Sequence, residues 1–138
     1  MANEVLVSTV KSIVASMRAG KTDEAYAGYR ALFASPAFAT YEANDQRQAL
    51  RLMVHAKGTT GPLPAGGVEA HRAALAPLGT LAKQHKEPAD LEMLGMCQVA
   101  VGDEAAAGVT FREALALERE RNAQSDLCGV LMKRVSML

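Results

Sequence analysis

The sequence predicts an all-α fold of about seven helices, and three observations predict it. Apolar residues recur at three- and four-residue spacing along most of the chain, the period of one helix face. Alanine occurs 26 times in 138 residues while aromatic residues make up only 4%, a composition suited to closely approaching helices and poor in what sheets prefer. Glycine and proline mostly fall between the periodic stretches and punctuate them. A chain of this length holds one domain with a real core, and 49% hydrophobic with 22% charged residues is a globular composition.

The first helix runs from about Asn3 to Ala19, with Val7, Val10, Val14 and Met17 on one stripe, widened by Leu6 and Ile13. Gly20 stops it. Thr22 then caps a second helix from about Asp23 to Ala34, whose first-turn acids suit the helix dipole. Ser35-Pro36 ends it, because a residue before proline is pushed out of the α region. Residues 37–43 are loop or a short extension. Asn44 or Asp45 caps a third helix to about Lys57.

The stretch Lys57–Gly67 holds four glycines and two prolines and reads as the longest loop. A fourth helix from about Val68 to Gln84 contains Pro77, which predicts a kink or break near Ala74. Glu87-Pro88 opens a fifth helix to about Val101, proline being tolerated in the first turn. Gly102-Asp103 separates a sixth, from Glu104 to about Arg121. A seventh begins near Ser125 and carries Leu127, Val130, Leu131 and Val135.

Self-comparison adds an internal period. Leu94-Gly95, Gly102, Ala107, Phe111 and Ala114-Leu115 form a series that resembles the tetratricopeptide repeat, a helix-turn-helix unit of 34 residues. Weaker copies follow from Leu50, Gly58, Ala70, Ala74 and Leu78, and from Gly20, Ala25 and Tyr29. In the first, Ser12 stands where a leucine is usual and Leu32 where an alanine is. The third has Gln98 in place of a tyrosine and lacks the closing proline. The resemblance implies an α-solenoid of antiparallel helix pairs, with repeats at about 4–35, 44–85 and 88–122 and a capping helix over 124–138. It also implies a groove lined by the first helix of each pair: Val10, Val14, Met17 and Arg18, then Gln48, Leu52 and His55, then Glu92, Met96 and Val99. That lining is apolar rather than cationic, so it lacks the lysines and asparagines of a carboxylate clamp. The methionines suit varied apolar partners. The same side chains serve equally well as plain core.

The 15 basic and 15 acidic side chains cancel, which gives no global field for nucleic acid or an anionic membrane. Residues 1–86 nonetheless hold ten basic and six acidic side chains, and residues 87–126 three and nine. No apolar run is long enough to span a bilayer, and the first residues lack a basic leader, so a cytoplasmic location is expected. Cys97 and Cys128 read as buried thiols. His55, His71 and His85 have no metal-ligand spacing, and the glycine-rich loop lacks the lysine and hydroxyl of a phosphate loop. No catalytic, cofactor or metal set emerges.

The expected role is therefore a non-catalytic protein-interaction module, an adaptor, scaffold or dedicated chaperone, taking a peptide or helix in an apolar groove. The alternative is a self-associating structural protein using the repeat ends and the final helix. The stretch Leu127–Leu138 is apolar on more than one face, and it caps, dimerises or fills the groove. A small-molecule binder or enzyme built around the loop and His55 comes last.

Overall fold

The computed structural model describes residues 3–56 and 61–138. The described residues form seven α-helices and no strand: α1 (Glu4–Arg18), α2 (Thr22–Ala34), α3 (Ala43–Val54), α4 (Ala65–His85), α5 (Pro88–Ala100), α6 (Glu104–Asn122) and α7 (Asp126–Ser136). A 3-10 turn, Pro36–Thr40, joins α2 to α3. The fold is all-α and repeat-like, as the periodicity predicts. α1 packs on α2, α2 on α4, α4 on α5, α5 on α6 and α6 on α7, while α3 leans on α4 and α5.

Local chemistry sets the boundaries. Asn3 caps α1 by accepting from the Leu6 N–H at 3.0 Å, Asp103 caps α6 through Ala106, and Ser125 caps α7 through Cys128. Each supplies an acceptor to a donor that the helix itself leaves unpaired. Between α2 and α3, Ser35 accepts from Ala37 at the start of the 3-10 turn, which buries Phe38.

Several expectations are corrected. α4 starts at Ala65, so the last three residues of the expected loop, Ala65 to Gly67, are helical; Lys57 to Thr60 lie outside the described residues. Pro64 precedes that start in extended backbone, and Gly67 is buried, with Leu63 side-chain carbons 2.8 Å from where a Cβ would stand. Leu63 packs that closely because Gly67 has no Cβ. Pro77 does not break α4, which runs unbroken to His85. Ala70, Ala74 and Leu78 are fully buried between the neighbouring helices, and that packing outweighs the one hydrogen bond that proline removes. α3 also ends at Val54, short of Lys57, and the expected caps fail: Thr22 lies inside α2 behind Lys21, and Asn44 and Asp45 lie inside α3 behind Glu42, neither start having a side-chain cap bond.

The turns of the first and third helix pairs are duplicates, 82 residues apart. Gly20 and Gly102 have φ of 80° and 88°, a conformation that strongly favours glycine. Around them the N–H of Ala19, Gly20 and Lys21 reaches the carbonyls of Ala15, Met17 and Ser16. Val101, Gly102 and Asp103 reach Cys97, Val99 and Gln98 in the same pattern. Both turns close the preceding helix with left-handed glycine and fold the next helix back antiparallel.

Size is arranged oppositely inside those two pairs. A Cβ on Gly95 of α5 would stand 2.4 Å from the Phe111 ring of α6. In the first pair the large residue is on the first helix: a Cβ on Gly28 of α2 would stand 2.7 Å from Ile13 of α1. Two apolar cores result. The first spans α1 to α4 and takes Met93 and Cys97 from α5. The second joins Ala82 and Leu91 to α6 and α7, and Leu94 and Met96 pack against both.

Gly95→Ala is expected to cost about 1–3 kcal/mol in urea unfolding through overpacking against Phe111. Phe111→Leu introduced beside it should return part of that loss, so the two changes couple in a double-mutant cycle.

Candidate functional site

α5 lies between the two cores and carries two buried carboxylates near its start. Pro88 fixes the first turn, and Asp90 and Glu92 then sit near the positive end of the helix dipole. Asp90 is only 1% exposed. It is met by the Arg47 guanidinium of α3, whose Nε lies 2.9 Å from Oδ1 and 3.1 Å from Oδ2, and whose Nη2 lies 3.0 Å from Oδ2. Arg47 Nη1 also donates to Asn44 Oδ1 at 2.9 Å. Both carboxylate oxygens are thus engaged by one planar fork, the geometry for which arginine is best suited.

Glu92, two residues on, is shared between two other helices. Its Oε2 accepts from Arg134 Nε of α7 at 2.8 Å, and its Oε1 lies 3.5 Å from His55 Nε2 of α3. The Arg134 guanidinium also stands 6.0 Å over the Phe111 ring. Burial pushes the His55 pKa below its ordinary value; Glu92 opposes that shift, and Arg134 and Arg51 add to it. His71 of α4, buried against its own helix with Nδ1 2.7 Å from the Gly67 carbonyl, is likewise held low by burial, against the pull of that hydrogen bond.

Beside this pair a hollow of about 270 Å³ opens between α5, α6 and α7. Met96 and Val99, Phe111, and Met137 and Leu138 give it an apolar lining, with Arg134 and Glu104 as its charged groups. Leu52 and Val99, 44% and 40% exposed, lie on the neighbouring helices, and Met137 is 75% exposed. Val130, one turn before Arg134 on α7, is exposed as well.

The residues predicted to line a groove divide. Met96 and Val99 of α5 line the hollow, and His55, just past the end of α3, faces Glu92, while Gln48 and Leu52 are exposed on α3 outside that lining. Val10 does not line a surface: it is 5% exposed inside the first core, because α1 turns that stripe onto α2. Val14 and Met17 pack half-buried against the same core, and Arg18 is exposed at the end of α1. Glu92 is no open lining residue either, since it is buried and its oxygens face Arg134 and His55. Arg47, Asp90, Arg134, Met137 and Leu138 are not singled out by the sequence. Asp90 reads there as a helix-dipole acid, and no local spacing ties Arg47 to a residue 43 positions away.

Reactive chemistry finds little support. Burial pushes the Cys97 thiol up to about 12, far from a thiolate at neutral pH. Among the described residues no group of three or more metal-ligating side chains is close enough to hold an ion, and no helix is long and apolar enough to cross a membrane. No family model, curated protein or solved structure matches the chain.

Arg47→Met should destabilise the fold by about 3–5 kcal/mol, because it strands a buried carboxylate, and Arg47→Met with Asp90→Leu should recover most of that loss in urea titrations. A second expectation concerns pH. With the folded-state pKa of His55 and His71 below 6.5, the unfolded chain binds more protons in the window just under that value. Stability should therefore hold above about pH 6.5 and fall as the solution is acidified, a slope that His71→Gln should flatten in thermal melts.

Proposed function

We propose that the chain is a tetratricopeptide-like, non-catalytic binding module that takes an amphipathic helix or extended peptide on the face formed by α3, α5 and α7. The observation that carries this reading is the apolar row Met96, Val99, Met137 and Leu138 that lines the hollow beside the Arg134–Glu92 pair, with Leu52 of α3 and Val130 of α7 also exposed. Isolated exposed apolar residues need no explanation, but a row that lines a hollow between helices has the form of a binding surface. The duplicated glycine turns support the repeat assignment, with units at about 4–35, 44–85 and 88–122.

The ion pairs fit the same role. Arg47–Asp90 and Arg134–Glu92 fix the spacing of α3, α5 and α7, so the apolar row is held in place before any partner arrives. A preorganised surface loses less ordering entropy on binding. Leu52, Val99 and Met137 supply anchors, and Arg51, Arg134 and Glu104 supply charges that orient the partner. α7 contributes to the binding face as well as covering α6.

A second reading, self-association, is favoured by Met132, which is exposed on α7 together with Val130. Two such helices packing across a two-fold axis would cover Met132 of both copies, while Val130, two residues earlier, lies on the opposite side of the helix.

Leu52→Glu with Val99→Glu tests the first reading, since both side chains are exposed and neither fills a core. The pair should leave helical circular dichroism and the melting temperature nearly unchanged while reducing partner capture from the source lysate at least about tenfold, the effect expected from losing central apolar anchors. Unchanged capture would remove the groove reading. Light scattering with Val130→Lys and Met132→Lys tests the second: a dimer that becomes a monomer supports it, and a monomer at every concentration of the unsubstituted chain ends it.

A further inference from the structure

A second recess lies at the other end of the repeat units, where α2 ends and α3 begins. It is a cleft of about 510 Å³ between the 3-10 turn and the second half of α4. Its floor belongs to the first core. Phe33, Phe38 and Leu81 are buried, and Phe38 stands edge-on to Phe33 and to Tyr41 at centroid distances of 5.2 and 6.0 Å. The floor is therefore rigid and aromatic, and its edge-to-face arrangement suits a further ring. Thr80, Gln84 and His85 form the polar edge on α4.

Two features restrict what fits. No lysine, arginine, aspartate or glutamate lines the cleft, so a charged ligand would lose water there without gaining a counter-ion. The other feature is Gln46, which is only 8% exposed and lines the cleft. Its Nε2 donates to the Tyr41 carbonyl at 2.8 Å and to the Ala39 carbonyl at 3.5 Å. Both amide protons thereby face carbonyls, and turning the amide over would set its oxygen against them. Oε1 is left as a directed acceptor that no described residue engages and that solvent reaches.

We propose that this cleft binds a small, uncharged, planar ring compound that carries an N–H or O–H donor, in the size range of indole or a phenol. The ring would lie over Phe38 and Leu81, with its donor on Gln46 Oε1. A cleft of this volume, with an apolar floor and polar side chains at its edge, has the form of a small-molecule site. It lies apart from the α3–α5–α7 face and does not depend on the peptide-binding reading.

Nitrogen-15 heteronuclear NMR titration of the full chain with indole, 1-methylindole and indole-3-carboxylate tests the proposal. Indole should shift amides of the 3-10 turn and of Thr80 to His85. 1-Methylindole, which keeps the ring and loses the donor, should bind about tenfold more weakly, as expected when a directed hydrogen bond at the edge of an apolar cleft is lost. The carboxylate should not bind there. Ala76→Phe, at an exposed position lining the cleft, should abolish the indole shifts without unfolding the chain, and Gln46→Met should shrink the preference for indole to less than about twofold. Equal binding of indole and its methyl derivative to the unsubstituted chain, or indole shifts that persist in Ala76→Phe, would overturn it. A tryptophan-centred pentapeptide binding about tenfold more tightly than indole would overturn the small-molecule assignment in favour of a peptide side chain.

Discussion

Everything around α5 depends on how its two buried carboxylates are neutralised. Asp90 and Glu92 enter a low-dielectric interior that would reject them alone, and each is admitted by an arginine from a different neighbouring helix. A buried pair of this kind contributes little net stability compared with apolar residues of the same shape, but it tolerates very little displacement. Its effect is on geometry. α3 and α7 have to lie where their guanidinium groups reach α5, and that requirement sets the shape of the surface between them.

The arrangement also joins the two cores. Leu94 and Met96 of α5 pack against both, and Met93 and Cys97 of the same helix belong to the first. A helix that is apolar on several faces and acidic at its start reads in isolation as a poor amphipathic segment. It becomes intelligible only as the central element of the stack, covered by neighbours on most of its surface and open at Val99.

The helices themselves were legible in the sequence because their signals are local. Helices begin after Asn3, Asp103 and Ser125 as their periodicity predicts, and Gly20 and Gly102 turn the chain where a residue without Cβ is comfortable, although the caps expected at Thr22 and at Asn44 or Asp45 fall inside their helices. What escaped was set by tertiary contact. Pro77 reads as a break until its helix is seen pressed between α2 and α5, and Gly66-Gly67 reads as loop until Leu63 and Tyr26 are seen against it. Val10 and Glu92 share the helical spacing of true surface positions, and periodicity alone does not say which neighbour turns a face inward. The contribution of α7 was visible as excess apolar residues but not as a location, since its partner lies 42 positions upstream.

The opposite placement of bulk in the first and third helix pairs bears on how the chain finds its structure. A nascent array of similar hairpins is exposed to strand-exchange errors in which a helix docks on the wrong copy of its partner. By the register of the duplicated turns Ile13 stands where Gly95 does and Tyr29 where Phe111 does, so α1 offered to α6 would drive Ile13 against Phe111, whereas Gly95 of α5 offered to α2 would still meet a ring. Near-identical turns therefore do not make fully interchangeable modules, and part of the pairing order is written into residue volume.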